Sequence, residues 1–205
     1  MAKKLPAPLT KAISAATAAI AAHPNGELEL AQRRALWTAL GKPEFDPEGF
    51  AEGVGHSRRV ELAQLACRSI LQYWTRAFPD DARPQGLLDT VDAYVSGDAS
   101  SGPLWEAIDA LGPVLEGMED HRAACVGHAA LHVAQVALND EGFEDDPEEE
   151  LDPEAPNPAS LDSGWFASVA CAGLGEDEPS VKERRRFWAW YVEEAVPEAF
   201  ETFGD

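Results

Sequence analysis

The chain has 205 residues, 45% of them hydrophobic, enough length and apolar content to bury one good-sized core. Its 16 Lys+Arg against 37 Asp+Glu leave a formal net charge of −21, so its field repels nucleic acid and anionic membrane surfaces and attracts cationic partners. Three widely spaced cysteines, Cys67, Cys125 and Cys171, form no disulfide framework and fit buried thiols in a reducing cytoplasm.

The first 25 residues predict an appended helix and turn. Lys3 and Lys4 ahead of an alanine-rich run resemble a secretory signal only superficially, because Pro6, Pro8 and Lys11 interrupt it and the run is too weakly apolar. An amphipathic helix packing Leu9, Ile13 and Ile20 is the better reading, and no run reaches the ~18 apolar residues of a membrane span. After the turn His23-Pro24-Asn25-Gly26, a second helix is expected from about Glu27 to Leu40, burying Trp37 and Leu40 and closed by Gly41. Residues 41–56 hold four glycines and two prolines with Phe45 and Phe50, the pattern of a loop pinned by two aromatic contacts.

Val60, Ala63, Cys67, Ile70, Trp74 and Phe78 then recur at three- and four-residue steps, the period of a buried helix face. Ser57 suits its cap, and Pro79 stops it. Asp80 and Asp81 can accept the free N–H groups of the next helix, whose first turn suits Pro84, and Arg83 is placed to pair with Asp80. Leu87, Leu88, Val91, Tyr94 and Val95 stripe that helix to Gly97. Pro103 starts another, with Leu104, Ile108, Leu111 and Leu115 on one face and a bend at Gly112-Pro113.

From about Asp120 to Asn139 the apolar positions run nearly all the way round, so this helix is expected at the centre. Its one polar strip collects His121, Cys125, His128, His132, Gln135 and Asn139. A helical metal-dependent hydrolase using His128 and His132 is the alternative that this strip raises. At 1.5 Å rise per residue one ion reaches only a neighbouring pair, and no HExxH or CxxC motif supplies further ligands. No metal or cofactor is therefore expected, and the strip reads as the polar edge of a core helix.

The next segment is the most acidic. Asp140, Glu141, Glu144, Asp145, Asp146, Glu148, Glu149, Glu150, Asp152 and Glu154 are ten carboxylates without one basic residue among them, within an acidic loop of residues 140–158. Their spacing is not that of a calcium loop. Crowded like charge is tolerated on an exposed surface, so these ten are the expected partner-binding residues, with Phe143 and Leu151 as apolar anchors. Trp165, Phe166, Val169 and Ala170 mark a helix closing at Gly173 or Gly175. Ser180 and Glu183 suggest a capping box for the last helix, which buries Trp188, Tyr191, Val192, Ala195 and Ala199 until Pro197 breaks or kinks it. Arg184, Arg185 and Arg186 are expected to meet internal carboxylates.

The fold expected is all-α: one domain over residues 1–205, a bundle of about seven or eight helices centred on those containing Trp74, Leu131 and Trp188. The chain holds no internal repeat, no glycine-rich phosphate loop and no nucleophile elbow, so no catalytic residue is named.

Several pieces together carry a family resemblance: Arg34-Ala35-Leu36-Trp37, the stretch from Arg58 to Pro84, Val126-Gly127-His128-Ala129-Ala130, and Glu183 to Tyr191 with Glu194 to Ala199. In these the chain resembles the helical immunity proteins of bacterial polymorphic toxin systems. The resemblance implies an all-helical protein without activity of its own that binds and silences a cognate toxin made by the same cell. Joined to the acidity, it implies a cytoplasmic immunity-type protein whose partner offers a cationic functional surface, with no nucleic-acid or membrane partner. A general acidic scaffold or adaptor is the other non-enzymatic alternative.

Overall fold

The computed structural model describes residues 4–46, 51–140 and 161–203. In chain order these form α1 (Ala7–Ala22), α2 (Leu30–Leu40), a small ribbon of β1 (Glu44–Phe45) and β2 (Ala51–Glu52), α3 (Gly53–Ala77), α4 (Arg83–Val95), α5 (Ser101–Leu115), α6 (His121–Asn139), α7 (Ser163–Ala172), α8 (Glu178–Trp190), a π turn (Tyr191–Ala195) and α9 (Val196–Thr202). The all-α bundle is as expected, with α8, the π turn and α9 running on as one rod. Among the described residues no helix is long and apolar enough to cross a membrane.

α3 and α6 pack along each other as the axis of the bundle, and α7, α4 and α5 close around them. The stripe Val60, Ala63, Cys67, Ile70 and Trp74 is buried on α3. It meets small residues on α6: Ala129, Ala130, Val133, Ala134 and Ala137, all with no exposed surface, which let the two backbones approach closely. Leu131 is only half-buried, so the centre of α6 lies on its alanine and valine side. Trp188, fully buried, covers the other end; Gly164 lies against its ring, where an added Cβ would stand 3.3 Å from it.

Basic side chains close the ends of helices. Carbonyls at a helix C-terminus lack intrahelical donors and carry partial negative charge, which favours cations. From the start of α3, His56 Nε2–H donates to Val136 O in the last turn of α6 at 3.0 Å. Arg58 donates to Leu40 O at the end of α2 and to Phe203 O beyond α9, with its guanidinium 3.9 Å from the Phe200 ring centre. Arg184 reaches Gly173 O and Gly175 O after α7, and Asn25 O after α1.

Several sequence expectations are corrected locally. Residues 41–56 are not wholly loop: β1 and β2 pair there, and Phe45 is exposed rather than pinned, while Phe50 lies outside the described residues. α3 starts at Gly53, so Ser57 is inside it, its hydroxyl donating to Gly53 O at 3.3 Å. Asp177, not Ser180, caps α8, accepting from Ser180 N–H at 2.8 Å. Of the three arginines expected to meet internal carboxylates, Arg184 does so, 3.4 Å from Glu27, and Arg186 lies 3.8 Å from the exposed Glu183; the hydrogen bonds of Arg184 and Arg185 go instead to main-chain carbonyls at loops beyond helix ends. Pro197 does not end the rod. Lacking an N–H and clashing with the carbonyl four back, it is accommodated by the π turn, where Val196 N–H bonds to Tyr191 O five residues earlier.

Candidate functional site

The acidic segment is the expected binding face, and the described residues show how the chain is held at Asp140, where the segment starts, and at Asp162, beyond it. Asp140 follows α6 in the left-handed conformation, φ 53°, a backbone state that short polar side chains tolerate. Its carboxylate is not at the surface: it is 1% exposed and held by both arms of Arg59, with Nε–H donating to Oδ1 at 2.6 Å and Nη2–H to Oδ2. Arg59 also donates to Gly41 O at 2.6 Å. Beyond the segment Asp162 caps α7, its Oδ1 accepting from Trp165 N–H at 2.9 Å. Its Oδ2 lies 2.7 Å from Arg33 Nη1, an ion pair rather than an aligned hydrogen bond, with both side chains 2% exposed. Asp140 is thus an anchor, unlike the exposed group expected from sequence. Glu141, Glu144, Asp145, Asp146, Glu148, Glu149, Glu150, Asp152 and Glu154, with Phe143 and Leu151, lie outside the described residues.

Between the two anchors lies a cavity of about 20 Å³, bordered by Trp37, Arg59, His132, Asp162, Ser163 and Tyr191. That is about the space one water needs, in a wall offering several polar partners. His132 Nδ1 accepts from Ser163 N–H at 3.3 Å and lies 2.9 Å from the Ser163 hydroxyl, which is also 3.2 Å from Ala129 O. An accepting Nδ1 means a neutral ring. Burial pushes the His132 pKa down, with the Asp162 charge opposing that shift. Across the cavity Trp37 Nε1–H donates to Tyr191 Oη at 3.1 Å, and burial raises the phenol's pKa far above its ordinary value.

The histidine strip of α6 is divided among different neighbours. His132 is bound into this polar floor, whereas His128 stacks on Phe166 with ring centres 5.1 Å apart and planes 17° from parallel. Among the described residues no group of three or more His, Cys, Asp or Glu side chains is placed to hold a metal ion. Cys67 and Cys125 are buried, which raises their thiols to about 12 and about 11, values at which neither is a thiolate near neutrality.

Sequence reasoning missed Arg33 and Arg59. The available signal was position: Arg33 lies four residues before Trp37 and Arg59 four before Ala63, so both occupy apolar helix faces where an unpaired cation would be costly.

The comparison with protein families gives one finding. The model of the family described as immunity protein Imm5 matches residues 13–198, taking in both anchors, the acidic segment between them and nearly all of the bundle. No curated protein matches the chain.

Proposed function

The chain belongs to the immunity protein Imm5 family, and from that premise we propose that it acts by binding, with no chemistry of its own, silencing a cognate toxin of a bacterial polymorphic toxin system. The family match over residues 13–198 is the observation that carries this reading. The site of action proposed is the cytoplasm of the toxin-producing cell.

The acidic run is the proposed contact, through Glu141, Glu144, Asp145, Asp146, Glu148, Glu149, Glu150, Asp152 and Glu154, with Asp140 serving as its buried root. Two features support it. Four arginines, Arg33, Arg58, Arg59 and Arg184, are turned inward, against only two fully buried carboxylates among the described residues, so the surface is more acidic than the composition suggests. The chain is also tied to the bundle on either side of the run, at Asp140 and at Asp162, by buried ion pairs. A toxin with a cationic working surface would be attracted over a Debye length and then covered.

Neutralising Asp145, Asp146, Glu148, Glu149 and Glu150 to Asn and Gln tests this in binding to the cognate toxin. The expected result is slower association and a shallower salt dependence at little cost in thermal stability. An unchanged association rate and salt dependence would place the contact elsewhere.

A further inference from the structure

An open groove of about 590 Å³ lies where α8 and the π turn run beside α3 and the end of α7. Aromatic surface and carboxylates meet in its wall: Tyr73, Phe187 and Trp190 border it, and so do Glu183, Glu193 and Glu194. Helical spacing puts them together. Glu183, Phe187, Trp190 and Glu194 follow at three- and four-residue steps, so they share one face of the rod, and Glu193 reaches the same groove from the π turn.

The aromatic part is fixed by the core behind it. Phe187 is buried, its ring centre 5.1 Å from that of Trp188, 5.7 Å from Trp190 and 6.2 Å from Tyr191. Trp190 and Tyr73 are half-buried and keep part of their surface in the open. Tyr73 already carries the Arg122 guanidinium 5.1 Å from its ring centre. The ring left for a further cation is therefore Trp190, of the residue type that holds a cation best. Charge in the groove is one-sided. Arg186 is the one basic residue among those described that borders it, 82% exposed and 3.8 Å from Glu183. Glu193 and Glu194 are both exposed, with no cation paired to either among the described residues. An arginine laid over Trp190 would stack its planar guanidinium on the indole and turn its N–H edge toward these carboxylates, whereas lysine, a hydrated point charge, meets only the second demand.

We propose that this groove docks an arginine presented by the cognate toxin, its guanidinium over Trp190 and against Glu193 and Glu194. Other occupants fit less well, because residues 141–160 of this chain hold no Lys or Arg and a second copy brings a net charge of −21. The inference rests on the immunity reading and adds to it a seat of fixed chemistry, Trp and Arg being the side chains in which binding energy concentrates. The acidic run then governs encounter and the groove governs lifetime.

The first test needs no toxin. N-acetyl-arginine amide at millimolar concentration is expected to shift the Trp190 indole N–H resonance, the neutral isostere N-acetyl-citrulline amide to leave it in place, and Glu193→Lys/Glu194→Lys to abolish the shift. No shift, or equal shifts with both probes, overturns the arginine seat. The second test follows association and dissociation of the inactivated cognate toxin. Glu193→Lys/Glu194→Lys is expected to speed dissociation about tenfold or more, whereas Glu106→Lys/Asp109→Lys, the same charge change at exposed positions of α5, slows association alone. Arg186→Ala removes the groove's own cation and is expected to slow dissociation about threefold, a gain that a merely structural residue does not give. Equal dissociation rates for the two lysine doublets overturn the toxin's use of the groove and leave the immunity reading standing. A parent that neither binds the toxin nor protects against it overturns the immunity reading and the toxin as occupant together. A parent dimer in sedimentation that Glu193→Lys/Glu194→Lys dissolves assigns the groove to a second copy and overturns the toxin as its occupant.

Discussion

Two Arg–Asp pairs in this molecule have nearly the same chemistry and opposite settings. At the joint between α3 and α4, Arg83 holds Asp81 through Nε–H at 2.9 Å and Nη2–H, with both groups reaching solvent. At the root of the acidic run, Arg59 holds Asp140 through the same two arms, with side chains 3% and 0% exposed. The sequence expectation favoured the first, choosing Asp80 as Arg83's partner; the structure corrects this to Asp81, whose carboxylate also accepts from Arg83 N–H at 3.0 Å. Asp80 is one residue too far from the new helix to do both. The comparison teaches that a turn pair is legible because it is local, while the pair that holds the architecture joins residues 81 positions apart.

The largest effect should come from breaking the buried pair. Arg59→Ala leaves Asp140 charged and enclosed and Gly41 O without its donor, so a loss of about 3–5 kcal/mol is expected, a large fraction of a domain's stability. Urea unfolding of this variant beside Arg83→Ala measures the contrast directly. A loss under about 1 kcal/mol for Arg59→Ala would mean that the interior pair behaves as the surface one does.

Next in size is the close approach that brings Gly41 to Arg59. A Cβ on Gly55 would stand 2.9 Å from Gly41 Cα and from Lys42 O, main-chain atoms that move only with the ribbon. Gly55→Ala should cost about 1–3 kcal/mol, the scale of overpacking. Gly86→Ala, in α4 with open space around it, should be neutral or slightly stabilising. Equal effects in chemical denaturation would show that the ribbon is not pressed onto α3.

What sequence could reveal follows the same division. Helices were legible wherever apolar residues recur at helical spacing, as from Val60 to Trp74, because one buried face writes that period along a continuous stretch. The capping aspartates Asp120, Asp162 and Asp177 act within three residues of themselves, yet Ser180 competed with Asp177 as a cap because either side chain suits that turn. The polar floor was not legible, because Arg33 and Asp162, or Trp37 and Tyr191, are brought together only by the packing of separate helices. The burial of Arg58 was not legible either, because the carbonyls it serves, Leu40 O and Phe203 O, are brought to it from opposite ends of the chain. Nor does periodicity show a two-residue strand, so the ribbon and the exposure of Phe45 were missed together.

The two regions should also differ in acid sensitivity. Burial lowers the pKa of His132 and of His56 from the ordinary 6.5. Their contribution to stability is therefore complete above pH 6.5 and is lost as pH falls from there toward the folded values, because the unfolded chain takes up the protons more readily. Glu27 and Glu61 shift the other way: burial raises their pKa, so protonation favours the fold as pH drops toward 4.5 and offsets part of the loss. Melting temperature should fall as pH drops below 6.5, less steeply in His132→Asn, whose amide oxygen can take the place of Nδ1 as acceptor. Identical pH profiles for parent and variant would show that His132 does not titrate against the fold.

The smallest effect belongs to the corner. The Arg83 hydrogen bonds hold the Asp81 carboxyl below its ordinary 3.8, so its contribution is present above that value and disappears as pH falls through the lower folded one. Both partners reach water, where Coulomb attraction is screened and long side chains lose entropy on pairing, so Asp81→Ala should cost about 0.2–1 kcal/mol. Its second role, accepting Arg83 N–H at the start of α4, keeps that figure from vanishing. Because Trp74 Nε1–H donates to Asp81 O, a main-chain atom, the substitution leaves the tryptophan's bond in place, and the core beneath should be undisturbed. Raised salt should shrink the difference between parent and Asp81→Ala in thermal melts, while the Arg59→Ala deficit should persist, since a Debye cloud cannot enter the interior. Toxin binding by Asp81→Ala should match the parent. A corner variant that melts normally yet no longer binds would move the functional surface to the α3–α4 joint, and an Asp81→Ala loss above about 2 kcal/mol would erase the distinction between the two pairs.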